Sequence, residues 1–234
     1  MESHPPLSVV MPVLDEAPGI EAALAALQPL RARGVEVIVV DGGSRDATRA
    51  LAAPWADRVL EAPRGRAAQM NAGAAAARGD VLLFLHADTL LPYGADASIA
   101  GGLLRTRREW GRFDVTIAGA DPLLAVVAFL MNIRSRLTGI ATGDQAMFAR
   151  RAAFERAGGF PEIALMEDVA LSTRLKRASP PLCLRERAVT SGRRWEKHGT
   201  LRTIVLMWRI RFAYALGADP GRLARRYDVE RTSP

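Results

Sequence analysis

The sequence predicts an α/β fold built around a mostly parallel central sheet, and three observations carry that prediction. Two continuous aliphatic runs, Val37-Ile38-Val39-Val40 and Val81-Leu82-Leu83-Phe84-Leu85, are each followed by turn residues, as strands buried on both faces of a parallel sheet are. Each run leads into an aspartate, Asp41 after the first and Asp88 after the second. From Leu7 to Asp88 strand and helix patterns alternate, which argues for right-handed crossovers between parallel strands.

Residues 7–13 read as the first strand, closed by Pro12 and the polar Asp15-Glu16. Residues 20–30 carry apolar side chains at helical spacing, and Gly34 punctuates their end. Residues 35–40 form the second strand, after which Ser44 and Asp46 can cap a helix over 48–53. A short strand at 58–61, an alanine-rich helix at 67–77 and a strand at 81–85 complete the alternation. Beyond Asp88 the pattern loosens. A strand at 112–118, a helix at 123–137 led by Asp121-Pro122, a strand at 146–150 and a helix at 169–177 are expected. A last helix over 200–216 stops at Gly217 and Pro220. With no internal repeat and no low-complexity linker, residues 1–234 read as a single domain.

Hydrophobic residues make up 49% of the chain, enough for a full core and too many for a disordered polypeptide. The single cysteine, Cys183, allows no internal disulfide and suits a reducing compartment; it reads as a small buried apolar residue. No signal peptide is evident at the start, so a cytoplasmic location is expected. Residues 185–234 hold 12 Lys/Arg against 5 Asp/Glu, which is the whole net charge of +7. Such a tail suits substrate phosphates or an anionic membrane at the inner face; no nucleic-acid signature accompanies it. The apolar run from Leu123 to Ile133 is too short to span a bilayer. Leu201, Ile204, Val205, Trp208 and Phe212 share one helical face, expected first as core packing and second as an interfacial surface.

An aspartate at a strand end can accept hydrogen bonds from a nucleotide's ribose or base, or it can simply cap its own turn. Two at neighbouring strand ends favour the ligand reading, because ligands of open α/β sheets sit outside the carboxyl ends of the strands. If residues 86–88 are extended, His86 and Asp88 project to the same side and could share a Mn²⁺ or Mg²⁺ ion. Such an ion would offset charge developing on a diphosphate leaving group. Further along, Glu167-Asp168 places two carboxylates side by side, where mutual repulsion raises a pKa toward that of a useful base. A dinucleotide-binding reading would need G-x-G-x-x-G after the first strand, and a nucleotidyltransferase a basic glycine-rich loop there; both are absent.

The motifs Ser8-Val9-Val10-Met11-Pro12-Val13-Leu14-Asp15-Glu16 and Val39-Val40-Asp41-Gly42-Gly43-Ser44-Arg45-Asp46 resemble the start of family 2 glycosyltransferases. Arg64 to Gly73, Phe84-Leu85-His86-Ala87-Asp88, Gly158-Gly159-Phe160-Pro161 and Glu167-Asp168-Val169-Ala170-Leu171 continue the resemblance to about residue 177. Gly143-Asp144-Gln145, Ser191-Gly192-Arg193-Arg194-Trp195 and the tail from Tyr214 to Tyr227 further resemble a bacterial subgroup associated with radical-SAM/selenodomain proteins.

The resemblance implies a GT-A fold, with a Rossmann-like nucleotide-sugar half over about 7–115. It implies an acceptor half over about 116–192 and a basic helical extension over about 193–234. The implied reaction is metal-dependent, inverting transfer of a sugar from a nucleotide diphosphate donor, with UDP favoured, to an unidentified acceptor hydroxyl. Pro12, Asp15, Glu16, Asp41 and Gly43 match the nucleoside-contacting segment, Arg66 and Asn71 the donor-side helix, and Ala87 the middle of the family's D-x-D motif. Arg193 or Arg194 with Trp195 matches an Arg-Trp pair near the acceptor or pyrophosphate. Asp88 matches the metal-binding carboxylate; His86 stands where the family has another aspartate, and His198 is a further candidate ligand. Glu167 and Asp168 match the catalytic Glu-Asp step. The non-enzymatic alternative is a membrane-peripheral nucleotide-sugar-binding protein that has lost turnover, and self-association is left open.

Overall fold

The computed structural model describes residues 6–232, without the side chains of Arg194, His198 and residues 228–232. The first half runs β1 (Leu7–Val13), α1 (Ile20–Ala25), α2 (Gln28–Arg31), β2 (Glu36–Asp41), α3 (Thr48–Ala52), β3 (Arg58–Glu61), α4 (Arg66–Ala76) and β4 (Val81–Phe84). There follow β5 (Thr89–Leu90), α5 (Ala95–Thr106), β6 (Trp110–Ala118), α6 (Leu123–Thr138), a 3₁₀ turn over Gly143–Gln145, β7 (Phe148–Arg150) and α7 (Arg151–Arg156). The chain then continues through α8 (Glu167–Ala178), β8 (Leu182–Ser191), α9 (Arg193–His198), α10 (Thr200–Ala215) and α11 (Pro220–Thr232).

Eight strands form one sheet in the order β3-β2-β1-β4-β7-β6-β8-β5. β3, β2, β1 and β4 are parallel; β7 joins β4 and β6 antiparallel, and β6 pairs with β8 in parallel. The chain moves outward from β1 to β2 and β3, then returns to the other side of β1 as β4. That reversal opens a crevice at the carboxyl ends of β1 and β4.

The central strands are aliphatic throughout because both of their faces are covered. Val9, Met11, Val37, Val39 and Leu83 pack toward α1 and α5, against Ile20, Leu24, Ile99 and Leu103. Val10, Ile38, Val40, Leu82 and Phe84 pack toward α4, α7 and α8, against Met70, Phe154, Phe160 and Leu171. Gly73 lets α4 close on the sheet, since a Cβ there would lie 2.3 Å from Val10 Cγ1.

Several expectations are corrected. The helix expected over residues 20–30 is two, because Pro29 has no N–H for the Ala25 carbonyl and its ring crowds that carbonyl, so α1 ends at Ala25; Gln28 Nε2 donates to the Leu24 carbonyl at the break. β5, α5, α7, β8 and α11 escaped the sequence reading, and the helix expected to be the last is followed by α11, which starts at the Pro220 read as a stop. In α5, Gly101 and Gly102 dilute the helical signal, yet a Cβ on Gly102 would lie 2.6 Å from Leu182 Cδ2. In β8, a register shift against Phe113/Asp114 inserts the exposed Arg185 and Glu186 and breaks the alternation. Cys183 is half-buried rather than fully enclosed.

The larger correction concerns α10. Leu201, Val205, Trp208 and Phe212 are exposed, and of the five residues read as a core face only Ile204 packs inward. The inward side of α10 is instead built from Leu206, Met207, Ile210, Ala213 and Tyr214, which meet α11 and Met166. Among the described residues no helix is long and apolar enough to cross a membrane.

Candidate active site

Two loops at the carboxyl ends of β1 and β2 are joined by side chains rather than by strand pairing. The Asp15 amide donates to Ser44 Oγ (2.9 Å), the Glu16 amide to Thr48 Oγ1 (2.8 Å) and the Ala17 amide to Asp46 Oδ2 (3.1 Å). In return, the Arg45 amide donates to Asp15 Oδ1 (2.7 Å). Asp15 is held at φ 53°, a left-handed conformation costly for a non-glycine residue, and these contacts over-determine it. Gln69 of α4 ties the two strand ends together, its Nε2 donating to the carbonyls of Val13 and Val40, each at 2.8 Å. Gln69 stood in the quoted motif without a role; its burial at this junction is what the sequence could not display.

The two strand-end aspartates differ in position. Asp41 is 1% exposed. Its Oδ2 accepts from the amides of Gly43 and Ser44, both at 3.0 Å, and its Oδ1 from the Ser44 hydroxyl. Its visible work is to shape the turn that carries Gly43 (φ 89°). Pro12 lies within β1, in register with Val40. Asp88 is exposed, and its one described side-chain contact is a long bond from Thr89 Oγ1 (3.3 Å).

Residues 86–88 are not extended. β4 ends at Phe84, Ala87 and Asp88 form a turn, and the Thr89 amide bonds back to the His86 carbonyl (3.1 Å). The two-residue alternation that would aim His86 and Asp88 the same way is therefore lost. The His86 imidazole lies instead over Gly143, where a Cβ would be 2.3 Å from His86 Cε1, and its Nδ1 is 3.6 Å from Asp144 Oδ1.

Glu167 and Asp168 open α8, so the helix dipole favours their charge. Asp168 Oδ2 accepts from the Gly143 amide (2.9 Å) and Oδ1 from the Val169 amide (2.7 Å). Burial first, then the adjacent Asp168 charge, pushes Glu167 up to about 7, against the pull of Arg66. Burial likewise raises Asp168, and Asp144 adds to it, although the two amides favour its ionised form. Met166, just before the pair, is buried at φ 71°, with Ile210, Leu223 and Tyr227 packed against it. The C-terminal helices thus hold a strained residue that aims both carboxylates.

Asn71 brackets the preceding loop: its Nδ2 donates to the Phe160 carbonyl (2.8 Å) and its Oδ1 accepts from the Phe160 amide (2.9 Å). Arg66 faces the carboxylates; desolvation works against its charge, but Glu167, Asp144, Tyr227 and Asp168 more than offset that. At the crevice mouth, burial and then the Asp88 charge raise Glu16, while Arg193 and Arg66 pull it down. Arg193, whose Nε also donates to Ser191 Oγ (3.1 Å), is the tail arginine shown to face the crevice. Trp195 packs against the apolar cluster that includes Leu124 and Val127 of α6. The side chains of Arg194 and His198 lie outside the described residues.

One residue was missed entirely. Arg134 of α6 has Nε and Nη2 buried with no hydrogen-bond partner. Burial and then the Arg112 charge lower its pKa, and the Asp168 charge opposes them. A lone arginine closing an apolar helical run was its only sequence signal. A cavity of about 480 Å³ opens at the opposite ends of the strands, between Leu7, Arg33, Tyr93 and Asp96, away from all these groups.

The exposed Asp88, the arginines Arg66 and Arg193 and the Glu167-Asp168 pair thus gather around the crevice at the carboxyl ends of the strands. Residues 8–156 match the profile of Glycosyl transferase family 2, and the chain belongs to that family. Its α/β fold, a mostly parallel sheet flanked by helices, matches that of solved GT-A transferases. The fold resembles S. aureus TarS 1-349 in complex with UDP (TM-score 0.64, 16% identity, 80% of this chain and 60% of that one). It also resembles the mannosyltransferase PcManGT from Pyrobaculum calidifontis, in complex with GDP-Man and Mn²⁺ (TM-score 0.64, 22% identity, 94% and 67%). A third likeness is glucosyl-3-phosphoglycerate synthase from Mycobacterium tuberculosis, in complex with Mn²⁺, UDP and glucosyl-3-phosphoglycerate (TM-score 0.56, 21% identity, 80% and 71%). The chain thus spans about three fifths of TarS 1-349. No curated protein matches it by sequence.

Proposed function

We propose that this glycosyltransferase moves a sugar with inversion from a nucleotide diphosphate donor, a UDP-sugar first, to an acceptor hydroxyl, using Asp168 as base. The observation that carries the proposal is the Glu167-Asp168 pair, set at a helix N-terminus beside Gly143, with burial shifting both carboxyls upward. Asp168 takes the acceptor proton as the acceptor oxygen bonds to the anomeric carbon and the bond to the diphosphate breaks. Arg66 and Arg193 face the departing negative charge. Burial and the Asp144 charge keep the base from ionising too easily.

At the mouth of the crevice the protein offers a divalent ion one carboxylate, Asp88, with no group of three or more His, Cys, Asp or Glu gathered to hold it among the described residues. Asp88 is exposed with nearly its whole carboxylate free, and its charge already raises Glu16, so a cation there relieves an existing repulsion. Asp88 would hold the ion, which when bound would neutralise the diphosphate oxygens. His86 is read as the partner of Asp144 rather than as a ligand.

The eight-stranded sheet supports one domain, with a nucleotide-sugar half over about 7–115, an acceptor half over about 116–192 and a basic extension over about 193–234. Membership of the radical-SAM-associated subgroup and a cytoplasmic location belong to the same proposal.

Thermal melts with UDP, GDP, CDP or ADP, each with Mn²⁺ or EDTA, test the donor site. Saturation at a hundredfold excess over Kd adds about 2.7 kcal/mol, a rise of roughly 5–10 °C for a domain this size. The expected result is a rise with one nucleotide that needs both Mn²⁺ and Asp88, and is lost in Asp88→Ala. No rise with any nucleotide rejects the donor site. Asp168→Asn should keep that rise and lose transfer; full transfer by this variant would reject the base assignment.

A further inference from the structure

Among the described residues fourteen large hydrophobic side chains are exposed, and they are not scattered: ten lie on α6 and α10, and Leu216 directly follows α10. The two helices meet through Ile204, which packs with Leu124, Val127 and Ala128 on the inner side of α6. On the opposite side of α6 stand Val126, Phe129, Leu130, Ile133 and Leu137, the last 81% exposed. Leu201, Val205, Trp208 and Phe212 on α10, and Leu216 just past its end, recur at three- and four-residue intervals, with Trp208 66% and Phe212 68% exposed. Single exposed apolar residues need no explanation, but a surface of this extent marks a binding face.

Charge selects the occupant. α6 and α10 contain five arginines (Arg134, Arg136, Arg202, Arg209, Arg211) and no Asp or Glu. Arg202 and Arg209 are exposed, and at 100° per residue both lie along one border of the α10 apolar arc. They are long side chains able to reach from an apolar surface to phosphate. A second copy of the chain would bring arginine to arginine, with no acid on either helix to pair them. An anionic bilayer supplies both an apolar layer and negative headgroups, and a tryptophan among the exposed apolar residues suits that boundary.

We propose that the outer faces of α6 and α10 dock this protein on an anionic membrane surface, with the apolar side chains in the headgroup–acyl boundary and Arg202 and Arg209 on lipid phosphates. α6 also carries Arg134, whose charge is supported by Asp168, so the docked helix lies beside the acid pair. That places a lipid-borne acceptor within reach, a consequence that rests on the transferase reading.

The test is co-sedimentation of the full chain with vesicles of phosphatidylcholine alone and with one quarter phosphatidylglycerol. Binding should appear with the anionic vesicles and weaken with salt. Trp208→Asp with Phe212→Asp should reduce it at least about tenfold. Arg202→Gln with Arg209→Gln should reduce it about 25-fold, at about fivefold per arginine. All four side chains are exposed, so the melts of these variants should match that of the unaltered protein. Absence of binding to anionic vesicles, or binding unmoved by Trp208→Asp/Phe212→Asp, overturns the proposal. A dimer in sedimentation equilibrium that the same variant dissolves overturns it in favour of a second copy. No nucleotide is present in this assay, so its failure and the failure of the donor-site melts are read separately.

Discussion

Replacing Glu167 by glutamine should stabilise the protein, and the gain should depend on pH in a defined direction. Glu167 is 6% exposed, and burial with the Asp168 charge raises it from 4.5 to about 7. The unfolded chain ionises near 4.5 while the folded chain resists until about 7, so wild-type stability falls as pH rises between these values and is level above them. At 1.36 kcal/mol per unit, the penalty at pH 8 is about 3 kcal/mol. Glutamine keeps the shape and never ionises. The difference in unfolding free energy between Glu167→Gln and wild type should therefore grow by about 3 kcal/mol from pH 4.5 to pH 8. In melting temperature that is roughly 6–12 °C. Urea unfolding across this range measures it. A difference that stays constant with pH would mean that Glu167 is not held protonated by its surroundings, and the reasoning would fail.

Two further outcomes are expected. Arg134→Met removes a cation whose Nε and Nη2 are buried without partners, so stability should rise by about 1–3 kcal/mol while transfer falls; a loss of stability on chemical unfolding would refute the unpaired state. Gly143→Ala places a Cβ 2.3 Å from His86 Cε1 and 2.4 Å from Nε2, forcing the ring away from the amide that holds Asp168. Such overpacking costs about 1–3 kcal/mol. The turnover rate should drop at least about tenfold with the nucleotide-induced melting rise retained, and a loss of that rise instead would place Gly143 in donor binding.

What could be read from the chain was whatever repeats locally. Aliphatic runs such as Val37 to Val40 exist because both sheet faces are covered, and that double burial is written in consecutive residues. The ordered motifs from Pro12 to Asp168 carried the family for the same reason, since loops at strand ends need particular residues at fixed spacing. The sequence did not reveal α5 and β8, where Gly101-Gly102 and a bulge interrupt the periods on which such reading depends.

Orientation belonged to the tertiary structure. Asp41 and Asp88 look equivalent in sequence, yet one is enclosed by its own turn and the other is open, because a side chain's exposure depends on segments far along the chain. Asn71 is bound to Phe160, 89 residues away, and His86 turned toward Asp144 once the strand ended at Phe84. The apolar stripe of α10 has a period that any amphipathic helix would show. Which side of it meets protein was decided by α11 and Met166 covering the other side, and that left Trp208 and Phe212 facing outward.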